Sequence, residues 1–214
     1  MRLARFTEFG KKIICVGRNY KLHVKEMKYS LPTTTPIVFL KPPTAYVIND
    51  GLIRIPKNCQ ELHHEVELGI VIGRKGSAVN ENEADDLIGG YVIALDMTAR
   101  DLQSKAKKSG EPWSISKGFD TSCPVGQFIP KEALPNANSL DIWCKVNGEL
   151  KQKGNTSDMM FTIPHLISYI SQYFTLEIGD LILTGTPDGV GPVKSNDIIE
   201  IGIGDVSKAS FKIQ

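Results

Sequence analysis

The chain has 214 residues, 41% hydrophobic and 23% charged, with 25 Lys and Arg against 24 Asp and Glu for a formal charge of +1. The length suffices for a substantial core, and the composition excludes a fibrous or intrinsically disordered chain. The near-cancellation of charge argues against a nucleic-acid or membrane-surface binder, and no run approaches the roughly 18 apolar residues needed to span a bilayer.

Residues 1–12 carry Arg2 and Arg5, in part the character of a mitochondrial presequence, but also Glu8, and Ile13–Val16 is too short for a signal-peptide core. Ile13–Val16 is instead predicted to be the first strand, followed by a short helix from Tyr20 to Met27 behind Asn19 and a strand at Ile37–Leu40. Strands are predicted at Val66–Ile72 and Tyr91–Leu95, with Asn80 and Glu83 capping a short helix through Leu87 between them. Thr98 is the expected cap of a helix reaching about Lys108, stopped by Gly110. Ile142–Val146 and Glu149–Gln152 flank Asn147-Gly148, a strong type I′ hairpin signal because both central positions need positive φ. Thr162 and Pro164 open a helix over Pro164–Phe174, with Leu166, Ile167, Ile170 and Phe174 on one face. Leu181–Thr184, Ile198–Ile203 and Ala209–Ile213 complete the strands. Strands outnumber helices without alternating regularly, which predicts an α+β architecture rather than a doubly wound sheet. With no repeat or linker, one domain over residues 1–214 is expected. Cys15, Cys59, Cys123 and Cys144 form no CxxC pair and read as free thiols of an intracellular protein.

The most informative segment is His63-His64-Glu65-Val66-Glu67-Leu68. On a strand, Glu65 and Glu67 share a face about 6–7 Å apart, either as a solvated edge or as ligands of a hard divalent cation. The apolar continuation points to an interior strand. Asp96, closing a second apolar strand, could complete an all-oxygen set suited to Mg²⁺ or Mn²⁺ over zinc, or simply bond local backbone N–H groups. His63 and His64 point to opposite strand faces and do not impose a zinc site. His23 and Glu26 stand at i and i+3, where a carboxylate can orient an imidazole, although exposed HxxE pairs are common. The glycine-rich loop Thr184-Gly185-Thr186-Pro187-Asp188-Gly189-Val190-Gly191-Pro192 matches neither phosphate fingerprint. Its backbone N–H groups could hold a small carboxylate, or it is a tight turn. Arg100 and Gln103 share a helix face near Asp96, and Lys117 lies in a stretch that reads as loop.

Six segments in order resemble the fumarylacetoacetate hydrolase family across nearly the whole chain: Gly17-Arg18-Asn19-Tyr20, Phe39-Leu40-Lys41-Pro42, His64-Glu65-Val66-Glu67-Leu68, Leu95-Asp96-Met97-Thr98-Ala99-Arg100-Asp101, Trp113-Ser114-Ile115-Ser116-Lys117 and Leu183-Thr184-Gly185-Thr186-Pro187. The resemblance implies a mixed β-sandwich roll with short flanking helices, usually a homodimer, with Mg²⁺ or Mn²⁺ on Glu65, Glu67 and Asp96. It implies a His23–Glu26 dyad on a lid segment, Lys117 as a catalytic group, and substrate contacts from Arg18, Arg100, Gln103 and Thr186. The chain lacks the extra N-terminal domain of fumarylacetoacetase, which favours small 2-oxo acids as substrates. The implied activities are acylpyruvate hydrolysis together with oxaloacetate decarboxylation and enol–keto tautomerisation, in the mitochondrial matrix or alternatively the cytosol. An isomerase or hydratase of longer dicarboxylates and a catalytically silent metal-binding scaffold are the competing readings.

Overall fold

The computed structural model describes residues 2–26, 34–48 and 50–214. In chain order the strands begin with β1 (Ile13–Gly17), β2 (Ile37–Lys41), β3 (Tyr46–Ile48), β4 (Leu52–Ile53), β5 (Leu62–His64), β6 (Val66–Ile72), β7 (Ile88–Leu95) and β8 (Thr98–Ala99). They continue as β9 (Cys123–Val125), β10 (Ile129–Pro130), β11 (Asp141–Val146), β12 (Glu149–Asn155), β13 (Leu181–Leu183), β14 (Gly191–Val193), β15 (Ile198–Ile203) and β16 (Ser207–Ile213). The helices are short: α1 (Phe6–Phe9), α2 (Lys21–Glu26), α3 (Arg100–Ser109), α4 (Ser114–Lys117) and α5 (Ile163–Ser171).

The largest sheet runs β2-β1-β13-β6-β7-β9-β3, with β10 also paired to β7. A second runs β12-β11-β15-β16-β4, and a small third joins β14, β5 and β8. Parallel pairs (β1–β13, β3–β9, β16–β4) stand among antiparallel ones, giving the mixed-sheet α+β architecture with short helices that the sequence predicts. Strand β6 is buried at every residue, which explains why Val66–Ile72 is almost continuously apolar. Val66, Leu68, Ile70 and Ile72 pack into the larger core, while Val71 packs into a second apolar layer with Ile13, Cys15, Val92 and Leu181. Glu67 shares the face of Val71.

Local signals act where expected, with instructive shifts. Asn147 and Gly148 take φ of 52° and 81° and turn β11 into β12, which extends to Asn155. Thr162 Oγ1 accepts the His165 N–H at the start of α5, whose buried face carries Leu166, Ile167 and Ile170, but the helix stops at Ser171. Helix α3 ends at a left-handed Gly110 as predicted, yet begins at Arg100. Thr98 pairs with His63 in β8 and donates its hydroxyl to Asp96 O at 3.2 Å, so it caps nothing. Asn80 and Glu83 form the reciprocal cap, but Glu81–Leu87 winds as a 3₁₀ helix. Its buried residues Ala84 and Leu87 are three apart, the spacing that a three-residue turn brings to one side. The predicted first helix is seen over Lys21–Glu26, and its expected end, Met27, lies outside the described residues. All four cysteines are free thiols, and no described helix is long and apolar enough to cross a membrane.

Candidate active site

Sheet register assembles the carboxylates. Strands β6 and β7 pair with Val66 opposite Leu95, so Glu65, at the joint between β5 and β6, lies across from Asp96 at the end of β7. The Asp96 N–H donates to Glu65 O at 2.8 Å, extending the ladder by one step. Glu67, two residues along, falls on the same side as Glu65. All three side chains are buried, and each offers an oxygen within 4.8 Å of the others. This interior position decides against the solvated-edge alternative.

Cations surround this cluster. Lys117 Nζ donates to Glu65 Oε2 at 2.8 Å and to Asp96 Oδ2 at 2.6 Å. Lys117 closes the one-turn helix α4, where the sequence suggests loop; Ser114 and Ser116 conceal the turn, and only Ser116 and Lys117 of it are buried. Arg100, the first residue of α3, donates from Nη2 to Glu65 Oε1 and from Nη1 to Gln103 Oε1 at 2.7 Å. Lys41, at the end of β2, was not singled out by sequence. Its buried Nζ lies 2.8 Å from Asp96 Oδ1 and donates to Met97 O at 3.2 Å and to Lys117 O. The signal for Lys41 was a lysine terminating an apolar strand before Pro42.

The electrostatics are uneven. Burial would raise the Glu65 carboxyl, but Lys117, Arg100 and His23 reverse this and hold it well below the usual range. Burial, then Asp96 and Glu65, push Glu67 well above that range. Burial disfavours the charged form of Lys117, yet Asp96 and Glu65 raise its pKa. Three converging buried oxygen ligands, one of them crowded by two like charges, fit a hard divalent cation, whose charge would relieve the crowding.

The loop after β13 closes the floor. Thr184 Oγ1 donates to Leu68 O at 2.9 Å, and the Gly185 N–H donates to Glu67 Oε2 at 2.7 Å. Gly185 has φ of +100°, and a Cβ there would come within 2.7 Å of Asn19 Cβ. Gly189 N–H reaches Glu26 at 3.1 and 3.2 Å. The loop's N–H groups therefore do hold carboxylates, but these are the protein's own. Asn19 staples the same loop, donating to Thr184 O and Phe161 O and accepting from Phe161 N–H.

A single pocket is lined by Arg18, His23, Glu65, Glu67, Asp96, Arg100, Gln103, Lys117 and Thr186. Phe39, Lys107 and Trp113 form its outer wall. Arg18 adopts φ of 60°, a strained conformation for arginine at the pocket rim. Of the ten candidates from sequence, Glu26 alone does not line the pocket. It sits behind His23, its Oε2 3.6 Å from His23 Nδ1, which makes no hydrogen bond in this arrangement. Burial lowers the His23 pKa, favouring a neutral imidazole. His63 pairs with Glu61 and His64 with Gln152, so the adjacent histidines diverge as a strand requires.

The mixed sheets and this pocket point to an enzyme class: one whose buried carboxylates, with basic side chains alongside, could hold a divalent cation. The chain belongs to the fumarylacetoacetate hydrolase family, residues 12–214 matching the family's model described as fumarylacetoacetate (FAA) hydrolase C-terminal. It is 54% identical over 212 residues to the mitochondrial oxaloacetate tautomerase FAHD1 of Mus musculus, covering 99% of this chain and 96% of that protein. It is 53% identical over 200 residues to the mitochondrial oxaloacetate decarboxylase of Dictyostelium discoideum, covering 93% and 91% respectively. Among solved structures, fumarylpyruvate hydrolase from Pseudomonas aeruginosa in complex with Mn²⁺ and pyruvate superposes with a TM-score of 0.91 at 33% identity, covering 95% of this chain and 89% of that one.

Proposed function

We propose that the chain is a mitochondrial-matrix enzyme acting on small 2-oxo acids. It tautomerises and decarboxylates oxaloacetate and hydrolyses acylpyruvates, such as acetylpyruvate and fumarylpyruvate, to pyruvate and a carboxylic acid. The observation that carries this reading is Lys117, buried and hydrogen-bonded to two of three convergent carboxylates beside a buried histidine. Residues 1–214 form one catalytic unit, working as a homodimer.

Glu65, Glu67 and Asp96 are the residues that would hold Mg²⁺, with Mn²⁺ an acceptable substitute. When bound, the cation supplies Lewis-acid polarisation of the substrate's 2-oxo and carboxylate oxygens. Arg18, Arg100 and Thr186 receive the carboxylate, and Gln103 fixes the Arg100 fork. Lys117 Nζ donates to the oxygen that becomes negative as an enolate forms. In tautomerisation, His23, kept neutral by burial, moves the proton onto or off C3 while the 2-oxygen gives up or takes one proton from solvent, so the proton count is unchanged. In acylpyruvate hydrolysis His23, backed by Glu26, takes a proton from water as the water oxygen attacks the distal carbonyl carbon. The carbon–carbon bond then breaks with its electron pair moving to C3 of the pyruvate enolate, and His23 returns the proton there. Decarboxylation uses the same enolate stabilisation without water attack.

The test is a parallel assay of acetylpyruvate, keto-oxaloacetate and enol-oxaloacetate, each with and without Mg²⁺. Glu65→Gln is expected to remove all three activities together; unchanged Mg²⁺-dependent turnover would overturn the metal assignment. Isomerisation or hydration of longer dicarboxylates in place of these reactions would replace the reading altogether, as would metal binding without any turnover. Size-exclusion chromatography with light scattering tests the dimer.

A further inference from the structure

Strand β12, Glu149–Asn155, is exposed or half-buried along its length, Leu150 included, and Gln152 alone is completely buried. The side chain of Gln152 crosses from the second sheet to the pocket floor and makes four hydrogen bonds. Its Oε1 accepts from Val66 N–H at 3.0 Å and contacts His64 Nδ1 at 2.9 Å. Its Nε2 lies 2.8 Å from Thr186 Oγ1 and 2.9 Å from Pro187 O.

Two of these partners are backbone groups, and they settle the polarity of the rest. Val66 N–H can only donate and Pro187 C=O can only accept, so the amide cannot be flipped. His64 must therefore donate from Nδ1, and Thr186 Oγ1 must accept from Gln152. Accepting that bond directs the Thr186 hydroxyl hydrogen away from Gln152. The hydroxyl has no other hydrogen bond among the described residues, and Thr186 lines the pocket.

We propose that Gln152 is a positioning residue for substrate: it sets the Thr186 hydroxyl as a donor aimed at the carboxylate of a bound 2-oxo acid, and ties that donor to Val66, the residue between Glu65 and Glu67. The proposal rests on the functional reading above in assigning a carboxylate ligand to the pocket. A free hydroxyl could spend its hydrogen on a neighbouring acceptor; with the Gln152 amino group in place that direction is closed to it, and the hydrogen stays available to the anion. The same amide thus links the donor directly to the strand segment bearing two of the three acidic side chains.

The test is a double-variant cycle read by calorimetric titration of pyruvate into Mn²⁺-loaded protein. Gln152→Glu keeps the acceptor for Val66 and His64 but replaces the amino group facing Thr186 with an oxygen. Thr186→Val removes the hydroxyl. Each single variant is expected to weaken pyruvate binding by about tenfold, the scale of one hydrogen bond to a charged group. The double variant is expected to be no weaker than either single one, and Thr186→Ser to bind as the wild type does. Mn²⁺ affinity, titrated separately, should stay within about twofold of wild type in Gln152→Glu, since the proposal places the loss in the hydroxyl donor.

Losses that multiply to about a hundredfold would overturn the proposal, since Gln152 would then act by charge or general bracing and independently of the hydroxyl. Wild-type binding by Gln152→Glu, or loss of Mn²⁺ affinity in parallel with pyruvate, would also overturn it. If Gln152→Glu does not fold, Gln152→Leu is put through the same cycle with the same expected outcomes. Pyruvate binding that follows the cycle in a protein that turns over no 2-oxo acid would overturn the proposed activity and leave Gln152's role standing. Absence of pyruvate binding by the wild type would overturn both.

Discussion

Lys41 shows how much of the site rests on a side chain that need not touch substrate. Its ammonium is fully buried between Asp96 and two backbone carbonyls. Replacing it with methionine preserves the stem but leaves Asp96 without one of its two lysines and strips both carbonyls of a donor. Breaking a buried pair from one side costs about 3–5 kcal/mol. At this chain length the low end corresponds to a Tm lowered by roughly 6–12 °C. Differential scanning calorimetry of Lys41→Met checks it, and an unshifted Tm would show that Asp96 is adequately held by Lys117 alone. His23 makes a different residue-scale prediction. Burial lowers its pKa, so the neutral base persists below the ordinary histidine value of about 6.5. The proposed hydrolysis needs that neutral form, and activity is lost as pH falls through the lowered pKa. The kcat/KM profile for acetylpyruvate is therefore expected to have its acid limb below about pH 6.5, with His23→Gln eliminating hydrolysis. An acid limb above that value would assign it to another group.

At the scale of elements, the loop Thr184–Pro187 is a small machine for aiming groups, and Gly185 is its most constrained point. Its φ of +100° excludes a side chain at little strain, and the space a Cβ would need is occupied by Asn19. Gly185→Ala is expected to destabilise the fold by about 1–3 kcal/mol and, by shifting the N–H that Glu67 accepts, to weaken Mn²⁺ binding. Calorimetric metal titration measures the second effect; full metal affinity in a folded variant would show that Glu67 needs no such support. This loop also marks where sequence reading succeeds and stops. Its glycines announce a turn with exposed N–H groups, but their partners are Glu67 and Glu26, distant in sequence and brought close by β13 packing between β6 and β1, the strand that leads into α2. The Asn147-Gly148 hairpin and the Gly110 stop were legible because a positive φ is a local requirement. The start of α3 was not, because Thr98 is drawn into β8 by pairing with His63, a tertiary interaction that overrides a good cap.

Across the whole molecule, the acidic triad was legible because strand alternation puts Glu65 and Glu67 on one face and an apolar run tells that the face is interior. Asp96 was legible as the end of a second such run, and the register Val66–Leu95 turns that into a contact. Gln152 was hidden, since nothing in Glu-Leu-Lys-Gln-Lys-Gly-Asn distinguishes the one buried residue from its exposed neighbours. The charge balance was legible only in sum. A chain of net +1 concentrates three carboxylates against Lys41, Arg100 and Lys117 in one buried cluster, whose formal charges cancel. A bound divalent cation would leave this cluster with a surplus of two positive charges, to which Arg18 and Lys107 on the pocket lining add, a field that draws the dianion oxaloacetate more strongly than the monoanion acetylpyruvate. Attraction of this kind is screened by salt. As ionic strength rises from about 0.02 to 0.2 M, contracting the Debye length roughly threefold, kcat/KM for oxaloacetate is expected to fall about twice as steeply on a logarithmic scale as kcat/KM for acetylpyruvate. Steady-state kinetics at fixed free Mg²⁺ and constant pH measure both slopes. Equal slopes would mean that the surplus charge is neutralised by neighbouring groups before substrate arrives, and that discrimination between the two acids lies in the pocket's contacts alone.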